Sequence, residues 1–138
     1  VNVIEEPTEF PPRRYRIALT VGDHSPRHLR RIARAYLRLW ELPQLTDPVE
    51  LALTELVTNV HRHVPDRWCV VTLLRTDTGV RLEVHDRSPA APTHRSATEW
   101  DEGGQGLALV SLLTDKWAVV PEATGKTVWC EVSSPSKR

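Results

Sequence analysis

Apolar and polar positions alternate from Arg14 to Thr20, with Tyr15, Ile17 and Leu19 on one parity, which predicts a short strand. Ser25 followed by Pro26 then marks a helix start, with Ser25 as N-cap. Leu29, Ile32, Ala33, Tyr36 and Trp40 recur at helical spacing to about Glu41. A second start lies at Asp47, Pro48 and Glu50, a capping-box-like arrangement. It opens a helix whose buried stripe is Val49, Leu53, Leu56, Val60 and Val64, and Pro65 stops it. Trp68 to Arg75 and Val80 to Asp86 are β-rich runs joined through Asp77, Thr78 and Gly79, a predicted hairpin. Residues 87–103 have no period and are rich in Pro, Ser, Thr and Ala, long for a connection inside one domain. Gly104 to Lys116 reads as a third helix, and Trp117 to Pro121 with Lys126 to Val132 as a closing strand pair around Gly125.

The order β-α-α-β-β-loop-α-β-β places strands in neighbouring pairs. It predicts an α/β (α+β) two-layer sandwich, with a mixed, largely antiparallel sheet and three helices on one face. Residues 1–12 and 134–138 read as tails around a single domain at 13–133. A chain of 138 residues suits one domain, and 40% apolar with 26% charged residues suits a packed core.

Charge narrows the function classes. Lys and Arg number 18, as do Asp and Glu, so no net field draws the protein onto a phosphate backbone or an anionic membrane. Neither a nucleic-acid nor a membrane partner is expected. No window approaches the roughly 18 apolar residues of a spanning helix, and the start is acidic and Pro-rich, so the chain reads as cytoplasmic. Cys69 and Cys130 fall in apolar strand-like runs and read as reduced, buried thiols. His61 and His63 stand two apart on a helix and face different ways, which argues against a zinc site.

Three spots carry candidate chemistry. On helix two, Glu55 and Asn59 are four apart and stack at the margin of the apolar stripe, and His63 continues that line. A carboxylate, an amide oxygen and an imidazole in a row suit a proton acceptor, a hard ligand for magnesium and a phosphate neighbour; the alternative is a solvated helix edge. Asp86 ends a strand on the parity of Val80, Leu82 and Val84, so it points inward. An inward acid must find donors: a ligand's amino group is one, and an Asx-turn through Arg87 and Ser88 is the other reading. Gly103-Gly104-Gln105-Gly106-Leu107 opens an apolar helix, where close backbone amides and partial positive charge favour phosphates. It lacks the Lys-Ser/Thr of a Walker loop and follows no strand as a dinucleotide fingerprint does.

Together, Glu-Leu-Val-Thr-Asn at 55–59, the inward Asp86 and Gly-Gly-Gln-Gly-Leu at 103–107 resemble the N, G1 and G2 boxes of the GHKL (Bergerat-fold) ATP-binding superfamily. The resemblance runs from about Tyr15 to Val132 and is strongest to the short standalone anti-sigma-factor serine/threonine kinases. It implies an ATP- and Mg²⁺-binding regulatory protein. Asn59 would hold Mg²⁺ and Glu55 would act as catalytic base. Asp86 would accept from the adenine amino group. Gly104 and Gly106 would give amides to the phosphates beside Leu107. Residues 87–103 would form the ATP lid, with Arg62 and His63 near the phosphates and Thr127 near a family threonine that assists adenine binding. The implied partner is a sigma factor or an anti-anti-sigma factor, with a homodimer implied as well. The G1 box departs from the family: Asp-x-Gly-x-Gly is here Asp86-Arg87-Ser88-Pro89-Ala90. Asp86, Ser88 and Pro92 match the Asp-x-Ser pattern with a later Pro of short relatives.

Two further signals stand apart. Arg27, Arg31, Arg34 and Arg38 form a basic stripe on helix one, either solvated or a seat for an acidic partner, and Trp100 sits in the implied lid. The altered G1 box favours an alternative to the kinase: a non-catalytic module with a degenerate nucleotide pocket that sequesters a partner through helix one.

Overall fold

The structure, a computed structural model, describes residues 10–88 and 110–134. The strands are β1 (Arg14–Thr20), β2 (Trp68–Arg75), β3 (Gly79–Asp86), β4 (Lys116–Glu122) and β5 (Gly125–Ser133); burial alternates along β1, β3 and β5, whereas β2 is buried throughout from Cys69 to Leu73 and no residue of β4 is fully buried. Cys69, Val71 and Leu73 of β2 pair with Asp86, Val84 and Leu82 of β3, and these in turn with Lys126, Val128 and Cys130 of β5. The sheet order is β1-β2-β3-β5-β4, and every pairing is antiparallel, so the mixed character expected from sequence is not found among the described residues.

The helices are α1 (Ser25–Leu39) and α2 (Thr46–His63), with a 3-10 turn at Pro43–Leu45 between them; residues 110–113 are helical as well. Leu29, Ala33 and Leu37 of α1 and the stripe Val49, Leu53, Leu56 and Val60 of α2 are buried in one cluster with Val71, Leu73, Leu82, Val84 and Val110. That cluster lies between the helices and the sheet face carrying the odd residues of β2 and the even residues of β3 and β5, which makes a two-layer α+β sandwich.

Helix ends depart from expectation for local reasons. Ser25 is not the N-cap of α1: it lies inside the helix, and its Oγ accepts from the Gly22 N–H at 2.9 Å. Asp47 does not cap α2 either, because the helix already begins at Thr46. Its proposed capping-box partner Glu50 is taken by Arg34 of α1, with Nε and Nη2 at 2.7 and 3.1 Å. The third helix does not reach Lys116, which belongs to β4. Asp115 is drawn to the sheet, its N–H donating to the Glu131 carbonyl at 2.8 Å and its Oδ2 accepting from the Ser133 N–H at 2.7 Å. At the other end of the chain, Trp40 Nε1 donates to the Pro12 carbonyl at 2.7 Å and joins that residue to the core.

Candidate functional site

Antiparallel pairing lines up Leu19, Cys69, Asp86, Lys126 and Pro121 in one row across the sheet. The row lies at the end of the sheet where β2 begins, and only four residues separate His63 from Trp68, so the C-terminal end of α2 leads into it. The topology therefore brings Asp86 of β3 to the same end of the sandwich as Asn59, Arg62 and His63 of α2.

Asp86 is buried on the inner face, as the alternation of β3 requires. Its Oδ1 accepts the Ser88 N–H at 2.8 Å, so the Asx-turn reading holds. The inward reading holds too, because Lys126 Nζ lies 3.1 Å from each of the two carboxylate oxygens. Lys126 is the residue that sequence reasoning missed. It shares the parity of Val128, Cys130 and Val132, so the same alternation that turned Asp86 inward also turned a lysine inward opposite it. Thr127, expected near the adenine acid, stands one residue away and projects from the other face, its Oγ1 3.2 Å from His85 Nδ1 and 3.1 Å from Glu122 Oε1.

The outer face at this end holds the residues flanking Asp86. His85 Nδ1 lies 2.8 Å from Glu122 Oε1, and its ring meets Trp68 edge-on. The Arg87 guanidinium covers the Trp68 ring at 4.1 Å and pairs with Asp66 at 3.0 Å. Asp86 is thus held from both neighbours in sequence. Gly125 has a steric reason to be glycine: a Cβ there would strike the Asp86 carbonyl.

On α2, Glu55 and Asn59 are half-buried, and among the described residues no hydrogen bond or ion pair reaches either side chain. Arg62 and His63 are exposed in the last turn, where the Arg62 charge also suits the helix C-terminus. Ser88 is buried. Gly104, Gly106, Leu107, Trp100 and the segment 89–103 of the implied lid lie outside the described residues. Burial pushes the Cys69 thiol up to about 12, with the Asp86 charge adding to the effect. Among the described residues no three His, Cys, Asp or Glu side chains cluster as a metal cage, and no helix is long and apolar enough to cross a membrane.

The family model of the histidine kinase-like ATPase domain matches residues 21–131, and the chain belongs to that family, within the GHKL superfamily. No curated protein matches the chain. Among solved structures it is similar to the RsbU and RsbW domains of Rv1364c from Mycobacterium tuberculosis: TM-score 0.64, 23% identity, 92% of this chain covered. The match spans 34% of that longer chain. It is also similar to the SiaB–SiaC complex from Pseudomonas aeruginosa: TM-score 0.61, 11% identity, covering 86% of this chain and 89% of that one. At these identities the likeness is one of fold.

Proposed function

We propose that the protein is an ATP- and Mg²⁺-binding regulator that passes a phosphoryl group to a serine or threonine of a regulatory protein partner. What supports this reading is a buried strand-end acid, Asp86, in a histidine kinase-like ATPase domain whose α2 carries Glu55 and Asn59 on one margin.

The donor set fits these ligands. Asn59 offers a hard amide oxygen without a protein partner among the described residues, which suits Mg²⁺, an ion usually held by one or two protein oxygens together with phosphates. Asp86 supplies an acceptor inside the protein for an amino group of a purine. Bound Mg-ATP would supply the phosphoryl group and the charge neutralisation. Glu55, half-buried and without a hydrogen-bond partner among the described residues, is placed to take the proton of a partner's hydroxyl at its carboxylate. Arg62 would offer positive charge and His63 an imidazole to the phosphates, and Gly104 and Gly106 beside Leu107 would offer amide donors. The likeness to the RsbU and RsbW domains and to the SiaB–SiaC complex supports a partner that is itself a regulatory protein; a sigma factor or anti-anti-sigma factor as that partner, a cytoplasmic setting and a homodimer are what the resemblance of the three boxes implies.

One observation favours the sequestering module instead. α1 carries Arg27, Arg30, Arg31, Arg34 and Arg38 and no acidic residue, a strongly basic helix on a neutral protein. Calorimetry of Mg-ATP against wild type and Asp86→Asn, followed by transfer of labelled phosphate to a candidate anti-anti-sigma partner, separates the two. The kinase requires binding weakened by Asp86→Asn and transfer abolished by Glu55→Gln. Binding without transfer leaves the module, and absence of binding overturns the nucleotide reading.

A further inference from the structure

The Asp86–Lys126 pair is incompletely used. Lys126 Nζ lies 3.1 Å from each carboxylate oxygen, and Oδ1 also takes the Ser88 N–H. An ammonium has three N–H donors and a carboxylate about four lone-pair sites. Among the described residues, one donor of Lys126 and an acceptor site on Asp86 Oδ2 therefore have no partner. The two side chains are only 11% and 4% exposed, so a hydrogen bond completed there is worth more than one made in water.

We infer that Asp86 and Lys126 read the base of a bound nucleotide together, and that Lys126 extends the pocket from adenine to 6-oxopurines. This rests on the nucleotide-binding reading above. A carboxylate alone accepts from the adenine amino group and repels a carbonyl oxygen in the same place, so guanine and hypoxanthine would bind it only through N1–H, with O6 left beside it without a donor. An ammonium held 3.1 Å from that carboxylate puts a donor next to the acceptor. Adenine then matches with its amino group on Asp86 and ring N1 on Lys126. Guanine matches in the reverse sense, with O6 on Lys126 and N1–H on Asp86. Lys126 faces the row that carries Asp86 because β5 pairs with β3 in this register. A one-residue slip would replace it with Thr127, which has no charge to offer O6.

Calorimetry with ADP, GDP and inosine diphosphate, each with Mg²⁺, tests this on wild type, Lys126→Thr and Lys126→Arg. Wild type is expected to bind GDP and inosine diphosphate within about tenfold of ADP, and Lys126→Thr to lose at least about tenfold more affinity for the oxopurines than for ADP, the worth of one charged hydrogen bond. Lys126→Arg, which keeps the charge, is expected to retain oxopurine binding. Should Lys126→Thr fail to fold in a thermal melt, the wild-type ligand series decides alone. Wild type binding ADP but neither oxopurine overturns the inference and leaves the nucleotide reading standing. An unchanged preference in a folded Lys126→Thr overturns it by making the lysine structural, and tighter binding of all three ligands overturns it by making the lysine a plug. Wild type binding none of the three overturns both readings.

Discussion

Arg87 lies over Trp68, its guanidinium carbon 4.1 Å from the ring centroid, and so fastens the residue after Asp86 to the start of β2. A cation over an aromatic face at a half-exposed site is worth about 0.5–1 kcal/mol. Arg87→Ala is expected to lower stability to urea by about that amount and to alter Trp68 fluorescence. Arg87→Lys should recover only part, because an ammonium lacks the planar group that covers the ring and meets Asp66.

The buried pair predicts a pronounced non-additivity. Removing one member leaves an uncompensated charge inside the protein, so Asp86→Leu or Lys126→Met alone should each cost about 3–5 kcal/mol. The double variant, with both charges gone, should cost less than either single change. Urea denaturation of the four proteins measures this, and additive losses would show that the pair is not coupled.

Glu41 is expected to be a site of easy stabilisation. It follows the last turn of α1 at φ 60°, while its N–H donates to the Arg38 carbonyl at 3.0 Å and the Leu42 N–H to the Leu37 carbonyl at 2.8 Å. This is the Schellman closure, in which the left-handed residue is usually glycine. Glu41→Gly should raise stability by up to about 1 kcal/mol, read as a higher Tm.

Burial pushes both thiols up to about 12 from an ordinary value of 9.0. In the unfolded chain they ionise near 9.0, so between 9.0 and about 12 the unfolded state binds fewer protons than the native one. The thiols' contribution is therefore fully present below pH 9 and is lost as the pH rises toward 12. Denaturation at a series of alkaline pH values should show this loss, and it should flatten in the double variant Cys69→Ala, Cys130→Ala. At pH 8 the native protein should resist a thiol reagent that labels it rapidly once unfolded.

The two α2 residues should separate binding from chemistry. Asn59→Ala is expected to remove the Mg²⁺-dependent part of nucleotide affinity, measured by calorimetry with and without the metal. Glu55→Gln should leave binding within about threefold while phosphoryl transfer falls by about 10²–10⁴, the usual contribution of a positioned base. Equal losses of binding in both variants would refute the division of roles.

Much of this protein follows from local pattern. Period-2 alternation placed β1 at its observed ends and turned Asp86 inward, β-rich composition placed β2, and 3.6-residue periodicity identified the buried stripe of α2. Both work because a buried face must be apolar wherever the backbone repeats. The helix starts were misread for a different reason. Ser25 and Glu50 have capping chemistry, but Gly22 and Arg34 compete for their side chains, and no local spacing reveals a partner on another element.

Alternation alone would turn Lys126 inward, yet only the register of β5 against β3 sets it opposite Asp86 and sends Thr127 to the outer face with His85. Pairing register is a long-range property, decided by which strands meet and how the whole inner face buries. The residue types at this end of the sandwich were therefore readable along the chain, and their partnerships existed only once the sheet had closed.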